Sequence, residues 1–251
     1  MAPTTDFEID APEIESGQTL LVGLASPGMA GLTTATQIVR SVESREIGSI
    51  SPTGLPGITP FEDGTPRHHT RLYDLVGTDL IVLVGELFVP AWAARSFADS
   101  LLAWSNEAGV SEIAVLHTIA YPHGPDDHQV FHVATDAYRD ERLSGQSTPM
   151  KGGVLDGVAG EVVNACLGEG EPSAGVFITP AHPPGPDIDG ALLFLDAIED
   201  IYDFSVDRSE LEELSREIKQ YYETLDQRLA TLNEAEESRD ERDFYADRMY
   251  M

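Results

Sequence analysis

The chain has a single cysteine, Cys166, and only two lysines, Lys151 and Lys219, in 251 residues. A lone thiol excludes an intrachain disulfide and a cysteine metal cluster, and it suits a reducing cytoplasm. No stretch reaches about 18 uninterrupted apolar residues, so no membrane-crossing helix is expected. Positive charge is scarce: 15 Lys plus Arg face 44 Asp plus Glu, for a formal net charge of −29. Such a balance repels phosphates and anionic lipid headgroups, which argues against nucleic-acid and membrane-surface partners. Residues 1–18 carry acids but no basic stretch, so no secretory signal is expected there.

Enzyme motifs are also missing. No Gly-x-Ser-x-Gly elbow seats a hydrolase nucleophile. Gly23, Gly28 and Gly31 are spaced Gly-x4-Gly-x2-Gly, which is not the dinucleotide fingerprint, and no Gly-Lys-Ser/Thr follows them. Glycines at a strand-to-helix turn more often permit close backbone packing. Cys166 lies between Ala165 and Leu167 in an apolar segment and reads as a buried, inert thiol.

Hydrophobic residues make up 41% of the chain, ample for a core. The carboxylate-rich, lysine-poor remainder reads as the surface of a halophile's protein. Concentrated salt screens its self-repulsion, and the acids keep it hydrated.

Along the chain, residues 1–18 form an acidic lead-in, either loose or an edge strand. Residues 19–206 alternate short apolar runs with helical periodicity. Strands are expected at 19–25 (TLLVGLA), 67–75, 79–85 (DLIVLVG), 112–119, 129–135 and 174–179, and another enters a Gly/Pro-rich loop at 52–66. The run 79–85 is apolar on both faces, as a central parallel strand should be. Helices are expected at 29–42, 89–108, 154–167 and 190–202. This alternation predicts one α/β domain with a mostly parallel sheet covered by helices on both faces.

Residues 207–232 form an amphipathic, coiled-coil-like helix. Its apolar stripe runs through Leu211, Leu214, Ile218, Tyr221, Leu225 and Leu232. From 233 the chain is charged, with 234–243 reading EAEESRDERD, so a flexible tail is expected. It ends in Met249, Tyr250 and Met251: a hydrophobic residue, a tyrosine, then any residue with its carboxylate. An aromatic anchor beside a terminal anion on a flexible tether is the chemistry of capture in a basic pocket.

That ending resembles the hydrophobic-Tyr-any motif of proteasome activators and assembly factors. The body resembles the proteasome assembly chaperone 2 family of archaea. The stretches that carry the likeness are 23–31 (GLASPGMAG), 71–73 (RLY) followed by 79–86 (DLIVLVGE), and 181–187 (AHPPGPD) opening an apolar helix. The resemblance spans roughly residues 20–232. It implies a phosphorylase/hydrolase-like α/β fold and homo-oligomers, while the lack of a catalytic constellation leads to the expectation of a non-enzymatic protein. It also implies binding to α-subunits of the proteasome core particle, with Met249, Tyr250 and the Met251 carboxylate as the docking residues.

The rival reading is a small-molecule enzyme or ligand-binding protein of nucleoside-phosphorylase-like fold. Its site would lie at the carboxyl ends of the strands, near residues 26–31, Glu86 and the loop after Thr179. His68 and His69, and the group His117, His123, His128 and His132, are candidate metal ligands by type. His128 and His132 would stand about 13 Å apart on a strand. His123, Asp126, Asp127 and His128 crowd one turn with weak cation-binding chemistry. Lone histidines are more often structural, and neither a metal nor a cofactor is expected.

Overall fold

The computed structural model describes residues 5–14, 17–121, 123, 124, 128–143, 145, 147–168, 171–182, 185–222, 224, 225, 227 and 228. The chain divides into two compact units, Met1–Arg208 and Ser209–Met251.

The larger unit is built on a nine-stranded sheet. In chain order its strands are β1 (Asp6–Asp10), β2 (Gln18–Leu24), β3 (Ser44–Thr53), β6 (Thr70–Leu75), β7 (Leu80–Gly85), β8 (Val110–Ile119), β9 (Phe131–Ala134), β10 (Thr148–Pro149) and β11 (Ser173–Pro180). A separate two-stranded hairpin, β4 (Phe61–Glu62) and β5 (Thr65–Pro66), turns through Asp63 and Gly64. Both turn residues have positive φ, as a tight primed turn requires. The helices are α1 (Ala30–Ser41), α2 (Ala91–Ala108), α3 (Asp136–Arg142), α4 (Gly157–Ala165) and α5 (Ile188–Tyr202).

Across the sheet the order is β1-β3-β6-β7-β2-β8-β11-β9-β10. The four central strands, β7, β2, β8 and β11, run parallel. The flanking pairs β1/β3, β3/β6, β6/β7 and β9/β11 are antiparallel, so the expected parallel sheet is a parallel centre with antiparallel wings. Only residues 76–79 link β6 to β7, too few for a parallel crossover, so the pair must be a hairpin.

The apolar pattern explains the layers. Every residue of β7 is buried, as are six of the seven in β2. In β2, Leu20, Val22 and Leu24 join the core formed with α2 and α4, alongside Phe97, Leu101 and Val162. The intervening Gly23 faces α1 instead: a Cβ there would sit 2.3 Å from the Ala35 Cβ and 2.6 Å from the Gly31 carbonyl oxygen. The strand's period of two therefore assigns α2 and α4 to one face and α1 to the other. Helix α5 packs on α1, and Tyr138 of α3 packs on Phe177 of β11. Each large side chain buried in these layers contributes about 1.5–3 kcal/mol of transfer free energy.

Residues 6–10, part of the acidic lead-in, form the edge strand β1. Phe7 fixes it, with its ring 5.0 Å from that of Phe97 at 85°, while Asp6, Glu8 and Asp10 are exposed. At the opposite edge stands the two-residue β10, which includes Pro149.

In the smaller unit, residues 209–222 are helical and form α6. Leu214, Tyr221 and Leu225 of the apolar stripe are exposed. No helix among the described residues is long and apolar enough to cross a membrane.

Candidate functional site

The parallel strands β2, β8 and β11 end on the same side of the sheet, and the loops that follow them meet there. Such strand ends are where open α/β sheets usually hold ligands. After β2, the chain turns sharply through Gly28 (φ 75°) and Met29 (φ 55°), and the Met29 N–H bonds the Ser26 carbonyl at 2.9 Å. Ser26 Oγ lies 2.8 Å from Thr118 Oγ1 of β8. Gly31 lets α1 start directly on the sheet, since a Cβ there would lie 2.6 Å from the Leu116 carbonyl oxygen. The glycines of residues 23–31 thus serve backbone approach.

Asp187 organises the loop after β11. It is buried, and it caps α5 by accepting the Gly190 N–H at 2.8 Å. Its other oxygen accepts the His182 backbone N–H at 3.0 Å and the His182 ring Nδ1–H at 2.6 Å. Its own N–H donates to the Gly28 carbonyl at 2.7 Å, which ties this loop to the one after β2. A carboxylate at a helix N-terminus is also favoured by the helix dipole.

In the loop after β8, His123 Nδ1 is 2.7 Å from the Tyr121 carbonyl oxygen. His123 Nε2 is 2.9 Å from His182 Nε2, which is 3.2 Å from His128 Nε2. One ring nitrogen from each of the three histidines lies within 4.8 Å of the other two. The histidines considered from sequence are thereby sorted. His123 and His128 meet, while His132 sits apart on β9 and bonds Ser147. His182 was not among the sequence's metal candidates. No spacing signal marks it, because it reaches the cluster only through the adjacency of β8 and β11. Asp126 and Asp127 lie outside the described residues.

A separate cavity of about 310 Å³ opens at the ends of β2 and β8, lined mainly by apolar groups with Ser26, His117, Thr118 and Asp156 as its polar members. Burial lowers the His117 pKa from its ordinary value, and the Asp156 charge opposes that shift. Glu86, expected at this site, does not line the cavity. It accepts both Arg67 terminal nitrogens, at 2.8 and 3.0 Å, and lies 3.7 Å from Arg71. The RLY stretch is structural too. Arg71 is buried and donates to the Tyr73 hydroxyl, and Tyr73 donates to Glu46 at 3.2 Å. Burial pushes the Tyr73 phenol up to about 12. Cys166 is buried, and desolvation, with the Glu171 charge adding to it, pushes its thiol up to about 12. That value does not suit a nucleophile. Met249, Tyr250 and Met251 lie outside the described residues.

A family model described as PAC2 family matches residues 20–226. No curated protein matches the chain. Among solved structures, Pyrococcus furiosus PbaA, described as an archaeal homolog of proteasome-assembly chaperone, superposes with a TM-score of 0.77 at 16% identity, covering 98% of this chain and 100% of its own. Pyrococcus furiosus PbaB, described as an archaeal proteasome activator, gives 0.73 at 17% identity, over 88% of this chain and 99% of its own. A Thermoplasma acidophilum protein of unknown function gives 0.70 at 23% identity, over 85% and 90%. The fold is shared with all three.

Proposed function

This chain belongs to the PAC2 family, and from that premise we propose that it is a non-enzymatic, proteasome-assembly-chaperone-like protein that binds α-subunits of the proteasome core particle. The observation that carries the reading is the family match through residue 226, joined to a fold shared with PbaA and PbaB along nearly their whole lengths. The chemistry of the site agrees with it. Residues that might have signalled catalysis have structural partners here: the glycines pack, Arg71 and Glu86 pair, and the Cys166 thiol is buried.

On this reading the docking element is Met249, Tyr250 and the Met251 carboxylate, carried on the charged segment that follows the amphipathic helix. Homo-oligomers would present several such tails together and raise avidity through effective concentration. Exposed apolar side chains, Phe88 and Trp92 on the larger unit and Leu214 and Tyr221 on α6, supply surface for such assembly. The net charge of −29 suits a cytoplasm of high salt, as in a halophilic archaeon.

Capture of the host's core particle tests the proposal. The 251-residue chain is expected to retain the particle in high salt, and Tyr250→Ala or removal of residues 249–251 is expected to abolish retention. Equal capture by all three chains would eliminate the tail as the anchor. Absence of any capture or any effect on core-particle assembly would eliminate the chaperone reading.

The second reading, a small-molecule ligand at the strand ends, is favoured by one observation: the cavity beside Ser26, His117 and Asp156. A ligand that stabilises the wild-type chain but not a His117→Phe variant would support it.

A further inference from the structure

We propose that His123, His128 and His182 form a binding site for a divalent transition-metal ion of zinc's class, ligated through their three Nε2 atoms. The hydrogen bonds behind the rings carry the inference. A carbonyl oxygen only accepts, so the contact of His123 Nδ1 with the Tyr121 carbonyl at 2.7 Å places a proton on that nitrogen. The Asp187 carboxylate also only accepts, so His182 Nδ1, 2.6 Å away, carries a proton too. Each neutral ring then has a bare lone pair on Nε2. These two lone pairs point at each other across 2.9 Å, with the His128 Nε2 only 3.2 Å from the His182 atom.

Two facing acceptors repel unless a cation lies between them. One proton bridges a single nitrogen–nitrogen contact and leaves the third ring unserved. A metal ion satisfies all three at once. Nitrogens bound tetrahedrally at zinc's usual bond length stand about 3.3 Å apart, and the two contacts that His182 makes, at 2.9 and 3.2 Å, are already near that spacing, with all three ligand atoms within 4.8 Å. All three ring centroids are 4.8 Å from one another.

The support behind the ligands is that of a metal centre. A carboxylate on the far nitrogen of a ligating imidazole fixes its tautomer and raises its basicity. Asp187 does this for His182 while held by the Gly190 and His182 N–H groups. An all-imidazole donor set favours zinc, cobalt, nickel or copper and disfavours magnesium and calcium, which take oxygen. Three protein ligands leave a fourth position, which faces solvent because His128 and His182 are exposed. The ion would clip the loop after β8 to the loop after β11, whose strands end side by side at Ile119 and Pro180.

The test uses the untagged full chain in a chelator-free buffer with excess magnesium, so that the many surface carboxylates are already occupied. One zinc per chain is expected to survive desalting. Cobalt is expected to give the intense visible absorption of a tetrahedral site. His182→Ala and His123→Ala should each weaken zinc binding by more than the roughly 10–100-fold that loss of an outer-shell partner costs. Because these rings are at least partly exposed, the variants should keep the wild-type circular dichroism in the absence of metal, and His123→Ala, which leaves the Asp187 hydrogen bonds intact, should keep the melting temperature as well. Zinc retained equally by both variants, or by no chain, would overturn the proposal.

Discussion

Glu112 and Arg142 form a lopsided ion pair: the Arg142 Nε–H lies 2.8 and 2.9 Å from the two carboxylate oxygens, yet the Glu112 side chain is 6% exposed and that of Arg142 36%. Glu112 also accepts the Thr19 hydroxyl at 2.8 Å, so β2, β8 and α3 share one carboxylate. Arg142 stacks over the Tyr202 ring with 5.4 Å to its centroid, which links the pair to α5.

The asymmetry sets an order of mutational costs. Arg142→Ala leaves a charge buried without its cation and is expected to cost about 3 kcal/mol. Glu112→Gln leaves a guanidinium that water can reach, and should cost only about 1–2 kcal/mol. The double variant should cost less than the sum. Urea midpoints at constant m-value measure all three, and equal costs for the two single changes would contradict the assignment.

At Gly31 the limit is space. A Cβ would stand 2.6 Å from the Leu116 carbonyl oxygen, and β8 cannot retreat because β2 and β11 hold both its sides. Gly31→Ala is therefore expected to destabilise by about 1–3 kcal/mol. Gly152→Ala is the control, because nothing lies within 4 Å of its Cβ position. It should leave the melting temperature within about a degree, by the near-neutrality of unconstrained surface changes.

The pH dependence follows from buried imidazoles. Burial is the largest cause lowering the pKa of His117, and it acts likewise on His69 and His132. The unfolded chain binds protons on these rings near pH 6.5, above the folded values. In that window the unfolded state holds more protons, so stability rises with pH. It is complete above about pH 6.5 and declines as the pH falls below that. His117→Gln should flatten the melting-temperature profile between pH 7.5 and 5.5, and an unchanged slope would show that His117 does not contribute.

Legibility in the sequence tracked how much of each element is apolar. Residues 80–85 are a fully buried strand and were readable as one. Helix α3 was not foreseen, because Tyr138 is its only buried residue and one apolar position shows no period. The direction of the outer strands was not read either, although the four-residue link between β6 and β7 dictates a hairpin. In the site, His123 and His128 were visible as neighbours in one turn. The third histidine, His182, is 54 residues beyond His128 and joins them only because Ile119 and Pro180 pair at the ends of β8 and β11. Long-range pairing of that kind leaves no local pattern to read.

The two margins of the sheet have a consequence for how copies of this chain can associate. At one, β1 offers an incoming strand a row of like charges from Asp6, Glu8 and Asp10. At the other, β10 is two residues long and Pro149 has no amide hydrogen to give. Both are devices that discourage strand-by-strand accretion. Growth into a shared sheet, and the fibrous aggregation that begins that way, is disfavoured at either rim, and multimers are left to form through helices and loops.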